Sequence, residues 1–291
     1  MTVLLPPSVR FDQGAGGLPR LTLNGVAGTA EVYLHGAHVT AWVPTGEEPA
    51  LWLSPTSQFA PEAAIRGGIP LCFPWFGALA ADPSAPAHGF ARLRDWELVS
   101  ALSSGDAVSV TLRLSDDETT RGTPWPHAFE ADYTVTVGRD LTLSLTVTNR
   151  DDVPITFEEA LHTYLHVWDV RQTEVHGLED TPYLDRSAGP SQQSPEHSTL
   201  RFTAQTDRIY LPTERAVSVR APGRTITISK NNSRATVVWN PWVDGAAALT
   251  DMPDDAWTGM LCVETCNVRD TAVTLLPSES HTMSAVVSTS S

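Results

Sequence analysis

Two segments of this 291-residue chain place proton-transfer side chains in settings that chemistry must explain. In Met260–Val268, an extended backbone points Cys262, Glu264 and Cys266 to one side and Val263 and Thr265 to the other. A carboxylate among apolar neighbours is costly to bury unless it is paired or used, so Glu264 is a general-base candidate, with a structural ion pair as the alternative. In Phe157–Val167, His162 and His166 would share one face of a helix and imitate a zinc pair, but Thr163 stands where that motif carries glutamate. The flanking residues favour a strand, in which the two histidines lie about 13 Å apart and cannot grip one ion. No metal site is therefore expected. His162, beside Tyr164, suits proton transfer because imidazole titrates near neutrality; the alternative is a hydrogen-bonded structural histidine.

Two further segments suggest ligand binding. Ile65–Gly77 carries a lone arginine, Arg66, then Gly67-Gly68 and three aromatics broken by prolines. Such a stretch is neither regular helix nor regular strand. Its glycines would let backbone approach a ligand while Phe73, Trp75 and Phe76 wall a pocket, unless the aromatics form a small core of their own. His88-Gly89-Phe90-Ala91-Arg92 follows. Arg66 and Arg92 are candidates to clamp a phosphate, since guanidinium forks match phosphate oxygens; as surface ion-pair partners they would do no chemistry.

The elements that must hold these residues are strands. Period-2 stretches rich in Val, Thr, Leu and Ile recur at Ala107–Leu114, Ala131–Val137, Leu141–Thr148, Ala216–Val219, Thr225–Ser229, Ala235–Trp239 and Thr271–Leu276. Gly138-Arg139-Asp140 and Ala221-Pro222-Gly223-Arg224 read as hairpin turns. No window of a dozen residues keeps a helical apolar period free of Pro or Gly, so helices should be few and short. The fold class is all-β, a large antiparallel sandwich of two sheets forming one domain over residues 1–291. Phe76–His88 and Asp180–Ser198 interrupt the strand rhythm, and the second reads as a surface insertion.

Composition narrows the function classes. With 41% hydrophobic and 18% charged residues the chain can bury a sizeable core. A net charge of −15 argues against nucleic acid or an anionic membrane as partner, so any phosphate must be met locally. Cys72, Cys262 and Cys266 are too few for a disulfide framework and read as reduced core thiols. Met1–Arg10 has no basic leader and is broken by Pro6 and Pro7, so a cytoplasmic location is expected.

Six motifs, in order from about residue 20 to 280, resemble the aldose 1-epimerase superfamily, most closely its glucose-6-phosphate 1-epimerase (hexose-6-phosphate mutarotase) branch. They are Arg66-Gly67-Gly68-Ile69-Pro70 with Phe73-Pro74 and Phe76-Gly77, His88-Gly89-Phe90-Ala91-Arg92, Leu161-His162-Thr163-Tyr164, Thr206-Asp207-Arg208-Ile209-Tyr210, Val237-Val238-Trp239-Asn240-Pro241-Trp242, and Cys262-Val263-Glu264-Thr265. The resemblance implies a galactose-mutarotase-like supersandwich with its site on the concave face of the larger sheet. It implies His162 as general acid and Glu264 as general base, with Arg66 and Arg92 as phosphate contacts and His88 and Asp207 as hydroxyl-binding groups. Phe73, Trp75 and Trp239 complete the expected substrate contacts. The expected substrate is a small-molecule sugar phosphate, turned over by a monomer with no cofactor. Two readings from other classes compete: a non-catalytic carbohydrate-binding module, and a glycoside hydrolase or lyase using Glu264 with Asp207.

Overall fold

The computed structural model describes residues 3–187 and 189–291. Strong alternation builds its largest sheet. Phe129–Val137 and Leu141–Asn149 bury every second residue and pair in register from Phe129 opposite Asn149 to Val137 opposite Leu141, around the turn at Gly138-Arg139-Asp140. They lie within a nine-stranded sheet that also contains Ala107–Ser115, Arg224–Asn231 and Ser280–Ser290. A four-stranded antiparallel sheet is formed by residues 9–44.

The second large sheet is more broken and carries the site. Its strand order is Ser191–Gln193, Tyr183–Asp185, Thr206–Tyr210, Ala235–Asn240, Met260–Asn267, Glu159–Leu161 and Leu71–Cys72, with Tyr164–His166 also on Met260–Asn267. All of these pairs are antiparallel. The helices among the described residues are short, with α-helices of four and six residues. These findings agree with the all-β sandwich expected from the sequence.

Every residue of Met260–Asn267 is buried, because both faces of this central strand are covered. Leu261 and Val263 join the main core with Leu143, Val147 and Met283 of the nine-stranded sheet. Cys266 instead packs with Cys72, Phe76, Ala160, Ile209, Ala235 and Val237 on the opposite, concave face. All three cysteines are free and buried.

A polar link crosses between the sheets. Glu159 is fully buried, accepts a hydrogen bond from Asn267 Nδ2 at 2.8 Å, and meets His281 Nε2 at 3.0 Å. That hydrogen bond holds the His281 imidazole above its ordinary pKa despite partial burial. Glu159 thus ties the strand before His162 to the sheet behind it.

Candidate active site

Register explains how residues far apart in sequence meet. Two adjacent rows cross the concave face. In one, Leu184 stands opposite Ile209, Ile209 opposite Val237 and Val237 opposite Glu264. In the next, Asp207 stands opposite Trp239, Trp239 opposite Cys262 and Cys262 opposite Tyr164. The pairing breaks at His162-Thr163, yet its register is the same on both sides, Leu161 with Thr265 and Tyr164 with Cys262. His162 therefore falls opposite Glu264 and extends the first row. The same reasoning puts Arg186 opposite Asp207, because Asp185 pairs with Arg208 and the Arg186 N–H donates to the Asp207 carbonyl at 2.8 Å.

These rows floor a cavity of about 500 Å³, bounded by Arg66, Phe76, His88, His162, Tyr164, Arg186, Asp207, Val237, Trp239 and Glu264. A larger opening of about 740 Å³ at the sheet edge is lined by Pro182, Tyr183, Leu184, Leu211 and Pro212 with Arg234 and Asp270, and has no histidine in its lining. Chemistry, not size, singles out the first.

At the centre His162 Nε2 lies 3.4 Å from Glu264 Oε1, with both side chains almost wholly buried. His162 Nδ1 and Glu264 Oε2 have no hydrogen-bond partner among the described residues. Buried polar atoms left open in this way mark a functional demand more often than a structural one. Burial, and then the Asp207 carboxylate, push the Glu264 carboxyl well above its usual range, while Arg186 and Arg92 pull it down. Burial, then Arg92 and Arg66, push the His162 imidazole well below its ordinary value. Each group is thus driven toward its neutral form, which leaves one proton for the pair, on the carboxyl. Tyr164 fixes the imidazole plane: the rings stack with centroids 4.8 Å apart and 12° between planes. Trp239 meets both rings edge-on.

The Arg66 loop is held by backbone. Gly67 and Gly68 have φ of 103° and 60°, and a Cβ on Gly68 would lie 2.2 Å from the Val39 carbonyl oxygen. Glycine alone meets both conditions without strain. His38 Nε2 lies 2.7 Å from the Gly67 carbonyl and must be the protonated nitrogen, since a carbonyl only accepts. Burial holds His38 down to about 3, so it stays neutral there. The Arg66 guanidinium is then anchored on two sides: Nε donates to both Asp251 oxygens at 3.1 Å, and Nη1 donates to the Tyr164 hydroxyl at 3.1 Å. Its Nη2 has no protein partner among the described residues.

His88 adopts a left-handed backbone with φ of 67°, unusual for a side chain of this size and a mark of functional sites. Its Nδ1 accepts from the Gly77 N–H at 3.4 Å and lies 3.3 Å from the Cys72 thiol. The ring proton is therefore on Nε2. Burial and Arg92 keep this imidazole neutral, well below its ordinary pKa. Asp207 is raised by burial, which Arg186 opposes.

Not every expected contact reaches the cavity. Phe73 is 1% exposed and packs on Phe90, Trp125, Phe129 and Phe157 in the main core. Trp75 packs edge-on against Phe90 and donates its indole N–H to the Pro86 carbonyl at 3.0 Å. Both expected pocket walls are thus core residues, and Phe76 alone of the three aromatics faces the ligand space. Trp239 does line it. Arg92 is not among the lining residues; its Nη2 donates to the Ala87 carbonyl at 2.8 Å, and it acts on His88 and His162 through its field. Asp180–Ser198, read from sequence as an insertion, forms the two strands nearest one edge of this sheet and supplies Arg186. Among the described residues no group of three His, Cys, Asp or Glu is arranged to hold a metal ion, and no helix is long and apolar enough to cross a membrane.

The family model for aldose 1-epimerase matches residues 19–288. The chain belongs to the aldose 1-epimerase family. A protein of Cenchrus ciliaris named "Putative glucose-6-phosphate 1-epimerase" is 35% identical over 287 residues, covering 94% of this chain and 85% of that one. One of the same name from Escherichia coli K12 is 36% identical over 244 residues, covering 83% and 81%. The crystal structure of a mutarotase-titled protein from Salmonella typhimurium superposes with a TM-score of 0.91 at 29% identity, over 99% of this chain and 96% of that one. This aldose 1-epimerase family member therefore has the mutarotase fold, with the opposed His162 and Glu264 at its concave centre.

Proposed function

We propose that the protein interconverts the α and β anomers of a hexose 6-phosphate, glucose 6-phosphate being the reference substrate. The observation that carries this reading is the buried His162–Glu264 pair, opposed at 3.4 Å with open valences on both side chains. Anomer exchange needs one proton removed from the C1 hydroxyl and one delivered to the ring oxygen. A pair holding a single proton can do both.

In the ring-opening step Glu264 is the carboxylate and His162 the imidazolium. Glu264 takes the O1 proton, the electron pair forms C1=O1, the C1–O5 bond breaks, and O5 receives the proton from His162. This leaves a protonated carboxyl beside a neutral imidazole, the same neutral pair that burial favours. Rotation about C1–C2 presents the other carbonyl face, and closure reverses both transfers. No atom or electron is gained or lost. A bound phosphate dianion offsets the Arg66 and Arg92 charges that depress His162, which makes the imidazolium easier to form.

The phosphate lies on the His162 side of the ring, since C6 is attached to C5 beside O5. Arg66 stands there with its free Nη2, and Arg92 adds its field behind His88. Shared names among relatives support this choice of substrate. The test is anomer exchange followed by NMR saturation transfer on glucose 6-phosphate, glucose and galactose. Faster exchange of the phosphorylated sugar supports the reading; equal or faster exchange of free galactose would replace it with a neutral-aldose mutarotase.

A further inference from the structure

One cavity cation has been given no ligand in that mechanism and acts on Glu264 only through its field. Arg186 lies across the site from Arg66, on the far side of Glu264, beyond the Ala235–Asn240 and Thr206–Tyr210 strands. Among the described residues its guanidinium makes no hydrogen bond. Its Nε approaches Asp207 Oδ2 at 3.7 Å, outside hydrogen-bonding range, and its carbon sits 5.9 Å over the Phe76 ring. The Asp207 carboxylate likewise accepts no hydrogen bond from a described residue. A neighbouring guanidinium, that of Arg269, is by contrast committed to Glu158 at 3.0 and 3.3 Å. The cavity thus holds one donor fork and one acceptor side by side, placed by register and left open.

Ring orientation says what they meet. With O5 at His162 and O1 at Glu264, C2 lies on the opposite side of C1 from O5, toward the strands that carry Asp207 and Arg186. The groups presented there are the C2 and C3 hydroxyls. Asp207 is the hydroxyl-binding group that the family resemblance implies; we propose that Arg186 joins it on this vicinal diol, Arg186 donating to one hydroxyl oxygen while the other hydroxyl donates to Asp207, and that Arg186 is thereby a specificity-determining residue for the sugar ring instead of its phosphate. The assignment rests on the anomer-exchange reading above.

The experiment measures kcat/KM for anomer exchange by wild type and Arg186→Ala on glucose 6-phosphate, its 2-deoxy and 3-deoxy analogues, and free glucose. Loss of a hydrogen bond from a charged donor predicts a fall of about ten- to a hundredfold on glucose 6-phosphate and on free glucose alike, mainly in KM. On the deoxy analogue that lacks the hydroxyl served by Arg186 the fall shrinks to less than about threefold, because wild type has already lost that bond. A loss confined to the phosphorylated sugars would make Arg186 a phosphate contact and overturn the proposal. Equal losses on all four sugars, or no loss on any, would overturn it too. Wild type inert toward all four would overturn the anomer-exchange reading itself and this assignment with it. Should Arg186→Ala fail to fold, Arg186→Lys, which keeps the charge and loses the fork, carries the same comparison.

Discussion

Replacing Glu264 by Gln should abolish most activity and, at neutral pH, make the protein more stable. The carboxyl is 1% exposed and its Oε2 has no partner among the described residues, so ionising it inside the fold is opposed by desolvation and by Asp207. Its pKa when folded lies well above the ordinary glutamate value of 4.5. The sign follows: between those two values the unfolded chain releases this proton and the folded protein keeps it. The stability this group contributes is fully present below about 4.5 and is lost as pH rises to the folded pKa. Each pH unit across that window removes about 1.4 kcal/mol from wild type. Gln is isosteric and cannot ionise, so the variant escapes the loss. For a domain of this size the melting temperature of Glu264→Gln should gain on wild type by about 3 °C per pH unit above about 4.5, then level off. Paired thermal denaturation scans from pH 4.5 to 9 measure the difference. A difference that stays flat or narrows with rising pH would refute the claim that Glu264 is held in an unfavourable, functional burial.

Three further outcomes are expected. Arg66→Ala should lower kcat/KM for glucose 6-phosphate by about ten- to two-hundredfold, chiefly in KM, and leave free glucose nearly untouched, because a charge-assisted bond contributes about 1.5–3 kcal/mol; steady-state assays on both sugars check it. Phe73→Ala should destabilise the fold by about 3–5 kcal/mol while sparing KM, whereas Phe76→Ala should raise KM at smaller cost in stability, which denaturant melts and kinetics together separate. Prolonged dialysis against EDTA should leave the exchange rate unchanged, since proton transfer alone completes the reaction; a loss restored by one divalent ion would contradict this.

How much of this was legible in the sequence varied with the local signal. Leu141–Asn149 and its partner alternate so regularly that fold class followed directly. Glu264 stood out because its strand is apolar on both sides, and His162 through its neighbours. Their opposition did not: it depends on a pairing register preserved across a two-residue break. Phe73 and Trp75 were assigned to the pocket because Pro70 and Pro74 conceal the two-residue strand Leu71–Cys72. With that strand recognised, Cys72 packs on the concave side and alternation sends Phe73 to the core. Arg186 escaped notice in a Pro-, Ser- and Gly-rich stretch whose edge strands are three residues long and carry no apolar alternation to read. Asp251, which anchors Arg66 from 185 positions away, has no local signal at all.

The central claim is that His162 and Glu264 together move the two protons of anomer exchange. The most direct measurement is the exchange rate of glucose 6-phosphate anomers, by NMR saturation transfer, for wild type, His162→Ala and Glu264→Gln at equal folded concentration. Each variant should fall by at least about a hundredfold, and the double variant little further, because the two act as one unit. Wild-type exchange rates in both single variants would contradict the account.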